Sequence, residues 1–225
     1  MKRPDRMPTR LSESLHRQIN AYALAASAAG VGVLALTQAA EGKVIYTKTH
    51  QVIEGRGDYI IDLNHDGAGD FTLYATANDF STSFYLKVIP YISGNQIWGA
   101  ASSASALKAG VRVGRRGPFS SFHRVMVHAT ASHRFNGPWA NGGKGVKNRY
   151  LGLKFLVKGE VHYGWARLNV SCHRQGPPIV GTLTGYAYET IPNKPIIAGQ
   201  EHGKDEATLG RLAQGAPGVL NGGRP

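Results

Sequence analysis

Apolar and polar residues alternate through much of the chain, and this period of two predicts strands. They fall over Val44–Thr47, Tyr59–Leu63, Phe71–Ala75, Phe84–Tyr91, His123–Ala129, Tyr150–Val157, Val161–Val170 and Ile179–Tyr188. No segment of comparable length carries the three-to-four spacing of an amphipathic helix. In Tyr150–Val157, residues Leu151, Leu153, Phe155 and Val157 face one way and Tyr150, Gly152 and Lys154 the other, with Lys158-Gly159-Glu160 as the turn that follows. The return strand places Tyr163 and Trp165 on one face and Gly164, Ala166, Leu168 and Val170 on the other. A strand loaded on both faces sits centrally, so the fold expected over residues 41–200 is all-β, a single antiparallel β-sandwich of jelly-roll-like type. Gly99–Gly117 and Asn136–Asn148 read as long surface loops, and residues 201–225 as a flexible polar tail.

Ahead of the first strand the pattern changes. Residues 1–20 hold five basic side chains, and Ala21–Leu36 is a run of about sixteen uncharged, mostly apolar residues, shorter than the ~20 needed to span a bilayer. Small residues follow at Thr37, Ala39 and Ala40, and charge returns at Glu41. This is the layout of a signal peptide over 1–40, so the protein is expected to be exported, to the periplasm, the cell surface or the medium. Retention of the same segment as an amino-terminal anchor is the alternative.

Composition sharpens the picture. With 29 glycines and 11 prolines among 225 residues, many turns and short strands are expected, and one cysteine, Cys172, leaves no intramolecular disulfide. Residues 41–225 carry 21 basic against 12 acidic residues, a formal +9. Acids cluster at Glu54, Asp58, Asp62, Asp66, Asp70 and Asp79, and none occurs from Phe80 to Gly159, a span with twelve Lys and Arg. Such a field attracts acidic polymers as a class: uronate or sulfated glycans, envelope phosphates, or nucleic acid. The expected contacts lie in the two long loops, Arg112, Arg115 and Arg116 in one and Lys144, Lys147 and Arg149 in the other, with Trp98 and Trp139 alongside to stack on sugar rings or bases.

The sharpest motif is DLNHDGAGDF. Asp62, Asn64, Asp66 and Asp70 stand at positions one, three, five and nine, Gly67 permits a sharp turn, and the Ala68 carbonyl adds a backbone oxygen. Side chains at alternate positions of a tight loop converge on one point, and several hard oxygens are what Ca²⁺ takes as ligands. Leu63 and His65 should point away. Leu73 stands where an EF-hand has its twelfth-position glutamate, and the flanks are strands, so the loop predicts a structural Ca²⁺ between two strands instead.

The loop is similar to the DxNxDGxxD calcium loops of integrin-type propeller repeats and other extracellular bacterial modules. Together with the leader NAYALAASAAGVGVLAL, the segment KVIYTKTHQVI and the pair YLGLKF and HYGWARL, it gives the chain a resemblance to uncharacterised secreted β-rich proteins of Acidobacteria and related bacteria. That group often ends in a short sorting-type tail, which ATLGRLAQGAPGVLNGGRP resembles with its apolar stretch interrupted by Arg211 and Gln214. The resemblance implies export and a β-rich fold, and no activity.

Catalytic signatures are sparse. His123, His128 and His133 are spaced by five, which puts His128 on the opposite strand face from the other two. No GxSxG elbow or activated cysteine motif occurs. Glu160 and Glu189 are a carboxylate pair outside the acidic stretch and the tail, so a glycan-degrading hydrolase using them is the alternative to the expected non-catalytic module that binds an anionic glycan or other acidic polymer.

Overall fold

The computed structural model describes residues 42–78, 80 and 82–203. The leader expected over 1–40 and the tail beyond residue 203 lie outside the described residues. Eight long or medium strands coincide with the eight predicted segments: β1 Val44–Glu54, β2 Asp58–Ile61, β3 Phe71–Ala77, β4 Ser83–Pro90, β9 Arg124–Thr130, β11 Val146–Val157, β12 Glu160–Cys172 and β13 Ile179–Glu189. One further strand, β5 Gln96–Ala100, and five two-residue strands complete the set: β6 Ser103–Ala104, β7 Arg112–Val113, β8 Phe119–Ser120, β10 Phe135–Asn136 and β14 Ile196–Ile197.

The strands run in the order β1-β13-β12-β11-β5-β6-β9-β4-β3-β2, with a separate β14–β7 pair. The first five form one half of an antiparallel sandwich and the last five the other, continuous through the tight β5–β6 hairpin. At the far edge β1 returns beside β2 and β3, so the sandwich nearly closes as a barrel. Within each half two of the four neighbour pairings join consecutive strands, β11–β12 and β12–β13 in one and β2–β3 and β3–β4 in the other, while β1–β13, β5–β11, β6–β9 and β4–β9 are crossovers.

Local chemistry explains the hairpins. Val157 pairs with Glu160 across Lys158 (φ 51°) and Gly159 (φ 84°), the two left-handed residues of a type I′ turn, whose twist matches its strands. The β3–β4 turn is held by Asn78, whose Oδ1 accepts from the N–H groups of Thr82 and Ser83 at 2.6 and 3.0 Å.

Between the halves lies the main core, with Ile53, Phe71, Leu73, Leu86, Ile97, Leu153, Phe155, Leu168 and Leu183 wholly enclosed. A second apolar cluster lies on the other face of β12: Tyr163 and Trp165 pack with Val44, Val113, Tyr150, Ala187, Ile196 and Ala198. The two-sided loading of this strand is thus realised, and Gly164, Ala166, Leu168 and Val170 are buried on its other face.

The two expected surface loops differ from the reading above. Residues 99–117 are folded against the body: Ala104 is enclosed in the main core, while Val113 is fully enclosed in the second cluster, Leu107 exchanges backbone hydrogen bonds with Tyr150 at 2.9 Å, and β7 pairs with β14, covering that cluster. Within 136–148, Trp139 is fully buried in the main core and donates its Nε1–H to the Ala104 carbonyl at 3.0 Å. The start of the expected loose tail is also anchored, because Glu201 pairs with Arg167 at 2.8 Å. Among the described residues no helix is long and apolar enough to cross a membrane.

Candidate functional site

The loop joining β2 to β3 carries the calcium motif. Asp62 accepts from the N–H groups of Asp66 (3.3 Å) and Gly67 (2.9 Å), and Asp66 accepts from the Ala68 N–H and from Asn64 Nδ2 at 2.9 and 2.8 Å. These bonds curl the loop with Gly67 left-handed at φ 87°. Asn64 Oδ1 is buried and has no hydrogen-bond partner. Leu63 sits in the main core, and His65 turns outward from the motif to Thr47 Oγ1 at 2.7 Å, so both point away from the other donors.

Asp70 is placed differently from its expected role of closing the shell. It is 3% exposed, and its carboxylate accepts from the Leu63 N–H at 2.8 Å and from Asn95 Nδ2 at 3.4 Å. Asn95, wholly enclosed, also donates to the Asp70 carbonyl and accepts from the Leu156 N–H, tying the neck of the loop to β11. Burial pushes the Asp70 carboxyl up to about 6, against the pull of its two hydrogen bonds and with the charges of Asp62 and Asp66 adding to the rise. Asp66 is held below the ordinary carboxylate value by its bonds from Ala68 and Asn64.

Among the described residues no three His, Cys, Asp or Glu side chains gather as a metal-holding group. With Asp70 turned inward, the loop itself offers two carboxylates, the unpartnered Asn64 Oδ1 and the Ala68 carbonyl. All are hard oxygens, a donor set that suits Ca²⁺ in kind.

The basic residues separate into distinct places. Arg112, Arg115 and Arg116 line one cleft of about 700 Å³ together with Trp98, Gly114, Gly117, Asn193 and Pro195. Trp98 of β5 meets Phe119 of β8 edge-on at 5.4 Å, and Phe119 meets Tyr163 at 5.9 Å, which makes an aromatic layer beside the arginines. Burial raises the Tyr163 hydroxyl and the nearby Arg115 charge opposes that rise, which places Arg115 close to this layer. Gly117 is required where the turn crosses Trp98, since a Cβ there would lie 2.4 Å from the indole ring. The three arginines are exposed, Trp98 is half-buried, and no acid lines the cleft.

The other expected contacts are elsewhere. Lys144 lines a second cleft with Arg134 and Arg174, while Lys147 and Arg149 lie at the start of β11 and line neither. Trp139 cannot stack on a ligand, because it is enclosed in the core. The sequence reading missed Phe119, Asn193 and Pro195, whose approach to Trp98 depends on pairings across the fold.

The two acids of the alternative reading differ in setting. Glu160 is exposed at the tip of the β11–β12 hairpin, whereas Glu189 is buried at the end of β13, bound to Lys194 at 3.2 Å and to the Ile191 N–H at 3.1 Å. His128 stacks on Tyr85 at 4.6 Å, His123 is exposed, and His133 is half-buried in a left-handed turn.

No known protein family matches the chain, and no curated protein or solved structure shows significant similarity to it.

Proposed function

We propose that this protein is an exported, calcium-stabilised β-sandwich module of the cell surface or envelope that binds an anionic glycan without cleaving it. The observation that carries the reading is the convergence of Arg112, Arg115 and Arg116 with the half-buried Trp98 on one acid-free cleft. Guanidinium forks bind carboxylate or sulfate oxygens in pairs, and an indole face stacks on the apolar face of a sugar ring. Export rests on the apolar run after a basic start, and the non-catalytic reading on the engagement of Glu189, which is buried and ion-paired to Lys194.

Capture through this cleft is tested by chromatography on a heparin-like matrix and on a neutral glycan across a salt series. The Arg115→Glu/Arg116→Glu variant should elute from the anionic matrix at much lower salt than wild type. A Lys147→Glu/Lys158→Glu variant carries the same change in net charge away from the cleft and should elute close to wild type. Equal losses in the two variants would mean that the overall positive field does the binding. Retention should also fall steeply with salt, since exposed charges are screened over about 8–10 Å at ordinary ionic strength.

Calcium would be held by Asp62, Asn64, Asp66 and the Ala68 carbonyl, where its charge supplies cross-linking of the loop. At one hundred times the dissociation constant, ligand linkage stabilises the folded state by about 2.7 kcal/mol. Melting in calcium and in chelator should therefore differ for wild type and coincide for Asp66→Ala. Coincident melting of the wild-type protein would leave the loop as a hydrogen-bonded turn alone.

A further inference from the structure

At one end of the sandwich, away from the Trp98 cleft, an apolar pocket and a cationic cleft meet at His133. The pocket, about 510 Å³, is walled mainly by Ala75 and Ala77 at the end of β3, Phe84 at the start of β4, and Pro177, Pro178 and Ile179 leading into β13, with the exposed Arg56 as a further cation at its rim. Ala75 and Ile179 belong to the main core and Phe84 packs against it, so the pocket is an opening of that core to solvent. Its volume falls within the ~300–1,000 Å³ typical of small-molecule sites.

The adjoining cleft, about 710 Å³, brings together Arg134, Lys144 and Arg174. No carboxylate lines either space, and the two ion pairs among the described residues, Arg167–Glu201 and Lys194–Glu189, involve none of these cations. Three like charges in one concavity repel each other, and an anion placed among them relieves that repulsion.

The turn between β9 and β10 fixes the junction. His133 is left-handed at φ 58°, its N–H donates to the Thr130 carbonyl at 2.8 Å, and the Arg134 N–H donates to Thr130 Oγ1 at 3.2 Å. This geometry leaves His133 lining both spaces and Arg134 lining the cationic one. The β3–β4 turn is tied to the same rim by the Ala131 N–H, which donates to the Thr82 carbonyl, and it carries Phe80 with 86% of its surface exposed.

An apolar pocket open to an unneutralised cationic cleft matches a molecule with an apolar body and an anionic head. We propose that this end of the sandwich binds one small amphiphilic anion, a carboxylate with an apolar chain, with the chain against Phe84 and Ile179 and the head at Arg134, Lys144 and Arg174. The site is separate from the glycan cleft, and neither depends on the other.

Titration calorimetry of the full chain with octanoate, 1-octanol and acetate, at low salt and far below micelle formation, tests it. Octanoate should bind saturably, one per protein, at least tenfold more tightly than octanol, which lacks the charge, or acetate, which lacks the chain. The Arg134→Glu/Arg174→Glu variant should lose at least tenfold for octanoate and nothing for octanol. Ala131→Trp, an exposed position on the rim, should weaken both once its melting curve shows an intact fold. Arg115→Glu/Arg116→Glu should bind octanoate as wild type does, so failure of the glycan reading and failure of this one are told apart. Equal affinity for octanoate and octanol, equal affinity for octanoate and acetate, or octanoate binding unchanged in the Arg134/Arg174 variant would each overturn the proposal.

Discussion

Replacing Trp165 by alanine is expected to destabilise the domain by about 3–5 kcal/mol, the range for removing a large aromatic from a packed interior. Trp165 is wholly buried on the outer face of β12, with Tyr150 edge-on at 5.2 Å and Tyr46 at 5.8 Å. The cluster around it is built from segments far apart in the chain: Val44, Val113, Ile196 and Ala198. Its loss therefore leaves a cavity that β1, the covering residues Leu107, Val111 and Val113, and the β14 segment would have to fill together. Against the usual 5–15 kcal/mol of a whole domain, this is a large share. Urea unfolding should show a lower midpoint with an unchanged slope. Trp165→Phe is the control: the indole N–H has no hydrogen-bond partner, so its removal leaves no acceptor unpaired and the ring still fills most of the space. A loss below about 1 kcal/mol for the alanine variant would mean that the cover folds without this cluster beneath it.

That second cluster also marks how far the sequence could be read. The eight strands were legible because one side of each meets the main core, which imposes strict alternation, and the double loading of β12 announced an apolar layer on its outer face. The layer that covers it was not legible. Leu107, Val111 and Val113 are spaced irregularly among Gly, Lys and Arg, and their partners, such as Tyr150 for Leu107, lie across the fold. Trp139 was misread for the same reason: its glycine- and proline-rich neighbours look like surface, and the acceptor that anchors it is 35 residues away.

The candidate sites show the same division. Asp62, Asn64 and Asp66 are local, so their spacing gave their arrangement. Asp70 is turned by Asn95, 25 residues on, and no local pattern reports that. Arg112, Arg115 and Arg116 fall in one cleft because β7 and the turn directly after it carry them. Lys144 fell with Arg134 and Arg174 instead, because the β9–β10 turn and the β12–β13 connection close around it.

The inward turn of Asp70 sets a pH dependence of stability in chelator. Its folded carboxyl lies at about 6, above the ordinary value of 3.8 that it regains on unfolding. The folded state therefore holds the proton more tightly than the unfolded one. The resulting stabilisation is complete below pH ~4 and disappears as pH rises through about 6. At about 1.4 kcal/mol per unit, a rise of roughly two units corresponds to a loss of about 3 kcal/mol between pH 4 and pH 7. Asp66 works in the opposite sense, but its lowered carboxyl acts only as pH falls below 3.8, outside this window. Urea midpoints measured in chelator from pH 4 to 7.5 should fall mainly between pH 4 and about 6 and level off above pH 7. In Asp70→Asn, which cannot ionise, that component of the slope should vanish while the remainder of the profile is kept. A wild-type profile that rises from pH 5 to 7, or one that Asp70→Asn does not alter, would show that the carboxyl is ionised at low cost in the fold and that Asn95 and the Leu63 N–H hold it as an anion.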